Sequence, residues 1–190
     1  MKGKHTSLNF FLILISTFLI FISSTYASEV IWKDLLKGNK VIFIRHSIAP
    51  GGGDPTGFNL LDCKTQRNLS KEGIKQSIKI GEIFKEKNIP IDQVFSSEWC
   101  RCKDTARFAF QNFKTFSALN STFSTPYIKN QEKQLNDLKR FISKWNSNNK
   151  NLIFITHYSI ITAVTDAVPS SGEIVVTDKN FNLIGTIKTN

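Results

Sequence analysis

The chain has 190 residues, 41% hydrophobic and 21% charged, with ten Gly and five Pro, proportions that suit a compact domain and exclude disordered, collagen-like and coiled-coil chains. Lys and Arg total 25 against 15 Asp and Glu, a formal net charge of +10, which attracts anions of some kind. The basic residues are scattered through 64–87 and 129–150 rather than gathered in one run, which reads as a solvated basic face and not as a nucleic-acid footprint.

Lys2 and Lys4 precede a thirteen-residue stretch from Phe10 to Ile22, broken only by Ser16 and Thr17. That is the layout of a secretory signal, and it falls short of the roughly 20 apolar residues of a membrane span. Thr25-Tyr26-Ala27 offers small residues for cleavage after Ala27, so residues 1–27 are expected to be a signal peptide. Residues 28–190, with a net charge of +8, are then a single domain without stable membrane insertion, in the periplasm or outside the cell.

Ile31 to Leu36 has room for one or two helical turns. Val41-Ile42-Phe43-Ile44 is a continuous run of β-branched and aromatic residues, which predicts a strand covered on both faces. Ala49 to Gly57 holds four glycines and two prolines, a loop too irregular for periodic structure and long enough to be functional. Ser70 is a helix N-cap, with Ile74, Ile78, Gly81 and Phe84 or Ile83 following at helical spacing until Asn88-Ile89-Pro90. Ile91 to Phe95 predicts a second strand. Ser96-Ser97 is expected to cap a helix running through Trp99, Thr105 and Phe108 to about Phe113. Leu119 to Ile128 reads as loop, and Glu132 to Trp145 as a helix with Leu135, Leu138, Phe141 and Ile142 inward. Leu152-Ile153-Phe154-Ile155 repeats the buried-strand signature, Ser159 to Ala167 predicts a short helix, and Glu173 to Thr177 with Leu183 to Lys188 predicts a closing hairpin. Alternating strands and helices predict an α/β three-layer sandwich, a mainly parallel central sheet with helices on both faces, whose ligands bind beyond the carboxyl ends of the strands.

Of the three cysteines, Cys63, Cys100 and Cys102, one must be left over if a disulfide forms. Cys100 and Cys102 point in different directions on a helix, so the expected bridge runs from Cys63 to one of them. A metal site is the competing reading, but no second Cys or His lies near Cys63 to complete a tetrahedral set.

Outside the signal the only histidines are His46 and His157, the two side chains best suited to proton or group transfer at neutral pH. Each immediately follows a buried strand, in Ile42-Phe43-Ile44-Arg45-His46 and Ile153-Phe154-Ile155-Thr156-His157. Arg45 adjoins the first, and Arg101 stands just beyond a third strand end. A guanidinium fork suits phosphate oxygens. Two imidazoles and two guanidiniums at strand ends predict a pocket in which a nitrogen nucleophile can accept a phosphoryl group while protein cations stabilise the equatorial oxygens. Such chemistry calls for neither a metal nor another cofactor.

Arg45-His46, Ser96-Ser97-x-x-x-Arg101-x-x-x-Thr105-Ala106 and Thr156-His157 resemble the signatures of the histidine phosphatase superfamily, of phosphoglycerate mutase-like fold, in the branch that includes small bacterial phosphatases. Further elements at Arg45 to Gly51, Gly53 to Pro55, Asp62 to Leu69, Trp99 to Cys102 and Ser171 to Glu173 are similar to those of an uncharacterised exported bacterial subgroup. The resemblance implies that His46 becomes a phosphohistidine, that Arg45, Arg101 and His157 hold the phosphate, and that Gln66 and Arg67 line the rim. The usual glycine after the nucleophile is Ser47 here, whose hydroxyl is expected either to donate to the phosphate or to turn the chain. The resemblance also implies a carboxylic acid that protonates the leaving group, yet Leu119-Asn120-Ser121-Thr122 contains none. Glu173 is favoured for that role, with Asp54 the alternative. If neither serves, the enzyme is expected to be slow on poor leaving groups and to act on phosphohistidine or acyl phosphates.

The resulting expectation is an exported phosphomonoesterase acting on a small-molecule or glycan phosphate ester. Its alternatives are a catalytically inactive phosphate-binding module of the same fold, and a redox or metal protein centred on Cys100-Arg101-Cys102.

Overall fold

The structure, a computed structural model, describes residues 28–189; the expected signal peptide lies outside the described residues. Helix α1 spans 28–36, β1 Val41–Arg45, α2 Lys71–Glu86, β2 Ile91–Ser96, α3 Cys100–Phe110, β3 Lys114–Thr115, α4 Gln131–Lys144, β4 Asn151–Thr156, α5 Tyr158–Thr165, β5 Ile174–Thr177 and β6 Leu183–Ile187. Six strands form one sheet in the order β3-β2-β4-β1-β5-β6. The β3, β2, β4 and β1 neighbours are parallel, and the β5–β6 hairpin adds antiparallel to β1. Among the described residues no helix is long and apolar enough to cross a membrane.

The apolar runs become central strands because side chains alternate across a sheet, so a run with no polar break can only be satisfied by cover on both faces. Ile42, Ile44, Ile153 and Ile155 pack on one face with Trp32 and Leu35 of α1, Ile80 and Phe84 of α2 and Ala106 of α3. Val41, Phe43, Leu152 and Phe154 pack on the other with Leu138 and Ile142 of α4 and Ile160 and Ile161 of α5. This is the three-layer α/β sandwich that the chain order predicts.

Several elements differ from expectation. Helix α2 starts where Ser70 predicts, its hydroxyl accepting from the Gly73 N–H at 3.1 Å, but it buries Gly73, Gln76, Ser77, Ile80 and Phe84 and leaves Ile78 exposed. The polar side turns inward because it clamps the loop after β1. Gln76 Oε1 accepts from the Ile48 N–H, Ser77 Oγ donates to Ser47 Oγ, and a Cβ at Gly73 would lie 2.1 Å from the Ile48 carbonyl oxygen. Hydrogen-bonding demand outweighs hydrophobic periodicity here. Helix α3 is capped by neither expected serine. Ser96 ends β2, Trp99 occupies the N-cap position without a side-chain cap bond, and the helix stops at Phe110, before a left-handed Gln111 with φ 63°. That early stop releases Lys114–Thr115 to pair with Phe95–Ser96 as an edge strand, which two residues are too short to announce.

Cys63 and Cys100 form a disulfide with their Cα atoms 5.6 Å apart, and Cys102 is a free, buried thiol. Cys100 opens α3 on the side of the 59–66 loop, whereas Cys102 has turned into the core beside Ala106. Replacing both bridged cysteines by serine is expected to cost about 4 kcal/mol, from the entropy of the 37-residue separation released in the unfolded chain. Equal urea midpoints for this variant and wild type would contradict it.

Candidate active site

Strand register brings the two histidines together. Arg45 of β1 pairs with Thr156 of β4, so the residue that follows each is displaced to the same edge. The His46 N–H donates to the Thr156 carbonyl at 2.9 Å, and the imidazole centroids lie 5.5 Å apart. Both rings are 3% exposed. Next to β4, the end of β2 delivers Ser96-Ser97, with the Ser97 N–H bonded to the Ile155 carbonyl, and the first turn of α3 delivers Arg101.

These ends open into a cavity of about 720 Å³. Its floor holds His46, His157, Arg45, Arg67 and Arg101. Its walls come from the glycine-rich segment 51–58 and from residues 121–127. The long loop therefore lines this cavity.

His46 has one ring nitrogen committed and one free. Its Nδ1 lies 2.9 Å from the Ser47 carbonyl oxygen, which can only accept, so the proton sits on Nδ1 and Nε2 carries the free lone pair. Burial, reinforced by the cations of Arg101, Arg67 and Arg45, holds its pKa well below the ordinary value of 6.5. The ring is neutral at pH 7. His157 is depressed in the same way, first by burial and then by Arg101. Its Nδ1 is 3.4 Å from Arg101 Nη2 and its Nε2 is 2.9 Å from Ser97 Oγ. Because a guanidinium only donates, Nδ1 accepts and Nε2–H donates to Ser97. The relay continues from Ser97 Oγ to Asn120 Oδ1 at 3.2 Å and from Asn120 Nδ2 to Glu98 Oε2 at 2.6 Å. This chain fixes the His157 tautomer and ring orientation.

The arginines are held without being consumed. Arg101 Nη1 contacts Asp54 Oδ1 and Oδ2 at 2.8 and 3.1 Å, Arg45 Nη1 donates to the Pro169 carbonyl at 2.9 Å, and Arg67 Nη1 donates to the Ala49 carbonyl. The Nε–H groups of all three are buried and have no hydrogen-bond partner among the described residues.

Other expected site residues sit elsewhere. Ser47 is fully buried away from the cavity. Its hydroxyl accepts from Ser77 and its N–H donates to Thr105 Oγ1, so it turns the chain rather than reaching for phosphate. Gln66 does not form the rim. Its Oε1 accepts from the Cys100 N–H, which caps α3, and its Nε2 donates to the Asn59 and Leu60 carbonyls. Glu173 stands beside the β1 end but off the cavity lining, because Oε2 accepts from the Ser170 N–H and closes its own turn. Asp54 does line the cavity, where its carboxylate is engaged by neighbouring donors. Besides Arg101 it takes the Arg67 N–H and the Trp99 indole N–H, each at 3.0 Å. The Cys100-Arg101-Cys102 reading loses its thiols. Cys100 is bridged, and burial pushes the Cys102 pKa up to about 12, which leaves it protonated and inert.

Sequence reasoning missed the Glu98–Asn120–Ser97 relay and the anchoring role of Asp54. Thr105 was legible in part: four residues after Arg101, its hydroxyl donates to the Arg101 carbonyl and accepts from the Ser47 N–H.

The depressed histidines couple the site to stability. An unfolded histidine titrates near 6.5, so below that pH the unfolded chain binds protons that the folded one refuses. Stability is complete above pH 6.5 and falls on acidification, by up to about 1.4 kcal/mol per pH unit for each histidine. Thermal melts at pH 7.5 and 5.5 should show this loss, and His46→Ala should weaken the dependence. A Tm that rises at pH 5.5 would refute the assignment.

No family model and no curated protein sequence matches the chain. Solved structures do match. The protein histidine phosphatase SixA, complexed with tungstate, superposes with a TM-score of 0.55 at 13% identity, over 79% of this chain and 97% of that one. TTHB049 from Thermus thermophilus gives 0.54 at 15% identity, over 78% and 98%. The product of an open reading frame from Mycobacterium tuberculosis, Rv3214, gives 0.53 at 16%, over 73% and 90%. The likeness runs over most of the chain at low sequence identity, and it establishes a phosphoglycerate mutase-like fold, that of the histidine phosphatases.

Proposed function

We propose that this chain, folded like the histidine phosphatases, is an exported phosphatase that hydrolyses a phosphate monoester through a covalent phosphohistidine on His46. The observation that carries the reading is a buried imidazole with its Nε2 lone pair free, in a cavity lined by three arginines. Tungstate, held by SixA, is a tetrahedral dianion, the shape and charge this floor suits. The cavity's charged side chains are Arg45, Arg67, Arg101 and Asp54, a net charge of +2 that balances one phosphoryl dianion.

In the first step His46 Nε2 bonds to phosphorus as the bond to the leaving oxygen breaks, and the developing ring charge is shared with the Ser47 carbonyl through Nδ1–H. In the second, water bonds to phosphorus, the P–N pair returns to Nε2, and the water proton ends on the departed oxygen. Arg45, Arg67 and Arg101 stabilise the equatorial oxygens in both steps. Arg101 is steered by Asp54 and His157. The disulfide supports an oxidising compartment, where such bonds persist, and agrees with the export signal read in residues 1–27.

Protein mixed with a labelled phosphate donor and denatured in alkali should carry label on the peptide containing His46. A protein that binds phosphate but never acquires the label is the inactive binding module instead.

A further inference from the structure

We propose that the cavity selects monophosphates of neutral aromatic alcohols, aryl phosphates, and this rests on the phosphohistidine reading above. Charge sets the first limit. With both imidazoles neutral, the +2 of the lining is spent on one phosphoryl dianion, and no cation on the walls remains for a second phosphate or a carboxylate. A bisphosphate, a phosphorylated acid or a nucleoside polyphosphate would bring buried charge without a partner, which is costly.

The second limit comes from the walls. Phe58, Trp99, Phe123, Tyr127 and Tyr158 all line the cavity. Phe58, Trp99 and Tyr127 form a cluster with centroid separations of 5.3–5.8 Å. Phe123 packs on Tyr158 at 5.6 Å, and Tyr158 in turn lies under the Arg45 guanidinium at 5.5 Å. Trp99 is buried behind this surface, but Phe58, Tyr127 and Tyr158 are only half-buried and Phe123 is 53% exposed. Partly exposed rings lining an anion site offer stacking to a planar group attached to the phosphate. A cavity of about 720 Å³ holds a phosphoryl group and a ring together.

The third limit is chemical. The one carboxylate on the lining, Asp54, accepts from Arg101, Arg67 and Trp99, and Glu173 is turned into its own loop. Neither carboxyl group is left free to face the leaving oxygen. A phenoxide, with a conjugate acid near pKa 10, leaves without one, whereas an alkoxide is nearer to water's 15.7 and about six units more basic. Stacking walls and engaged carboxyl groups therefore favour the same substrates.

Three donors separate these effects: phenyl phosphate has a ring and a moderate leaving group, acetyl phosphate an excellent leaving group without a ring, and glucose 6-phosphate an alkoxide. We expect kcat/KM for phenyl phosphate at least 100-fold above glucose 6-phosphate, and a KM for phenyl phosphate at least tenfold below that for acetyl phosphate. Tyr127→Leu, and independently Phe58→Leu, should each lower the phenyl-to-acetyl ratio of kcat/KM about tenfold. Equal use of phenyl phosphate and glucose 6-phosphate, or a ratio that neither variant moves, overturns the proposal. Labelling of His46 by all three donors alike does so too, yet leaves the phosphohistidine reading standing, whereas label from none defeats that reading itself. A phosphotyrosyl peptide in parallel identifies the source of the ring. A higher kcat/KM than phenyl phosphate assigns protein-borne phosphotyrosine and a lower one a free aryl ester, and either result retains the class.

Discussion

His46→Ala is expected to lower phosphate ester hydrolysis roughly ten-thousand-fold or more, since the variant keeps the cationic floor but has no atom on which to carry the phosphoryl group. Thermal stability near neutral pH should change far less than activity. The ring's one protein hydrogen bond is a local one to Ser47, and removing it also removes the acid-side penalty of a depressed histidine. His157→Ala should be milder, a loss of about a hundredfold to a thousandfold, of the size seen when one preorganised electrostatic group is removed. Its structural consequence is to release Arg101 Nη2 and the Ser97 hydroxyl. Steady-state rates on phenyl phosphate for both variants test the order. If His46→Ala and His157→Ala lose the same factor, or if His46→Ala retains a tenth of wild-type activity, the assignment of the nucleophile is wrong.

Arg101→Ala should damage both stability and turnover, for separable reasons. The Arg101–Asp54 pair is 4% and 10% exposed on its two side chains. Removing the guanidinium leaves a nearly buried carboxylate facing only the Arg67 N–H and the Trp99 indole, a loss of about 3–5 kcal/mol for a broken buried pair. Adding Asp54→Asn removes the stranded charge and keeps an acceptor for Trp99, so the double variant should regain most of that stability. It should not regain turnover, because the cation that faces the phosphoryl oxygens is still missing. Arg101→Lys serves as a third point, with charge kept and the two-pronged geometry lost. Urea denaturation and kcat/KM on the set give a double-mutant cycle in which stability couples and activity does not. Stabilities that simply add would show that the two side chains do not depend on each other.

The histidines, Arg45 and Arg101 were legible because each stands next to an unmistakable strand or helix boundary, and parallel strands present their carboxyl ends on one edge. The same logic does not tell where Gln66 and Glu173 direct their side chains. Both are polar residues near the right edge, but polar groups in loops first satisfy nearby backbone, Gln66 at the start of α3 and Glu173 in its own turn. The inward side of α2 was misread for a related reason. Gln76 and Ser77 bury because the loop after β1 has amide and hydroxyl groups to be met, and apolar spacing carries no record of a partner that far away in the chain.

By itself the sequence determined the layered α/β class, the two buried strands that place the imidazoles, the cationic character of the site and the involvement of Cys63 in a bridge. These follow from local alternation, apolar runs and charge, which are properties of consecutive residues. Only the tertiary structure decided which cysteine joins Cys63, that Asp54 holds Arg101, that Glu98 and Asn120 reach His157 through Ser97, and that five aromatic rings from four separate segments meet around one cavity. Each of those is a contact between residues far apart in the chain, fixed by strand register and helix packing, and a one-dimensional pattern holds no distance between them.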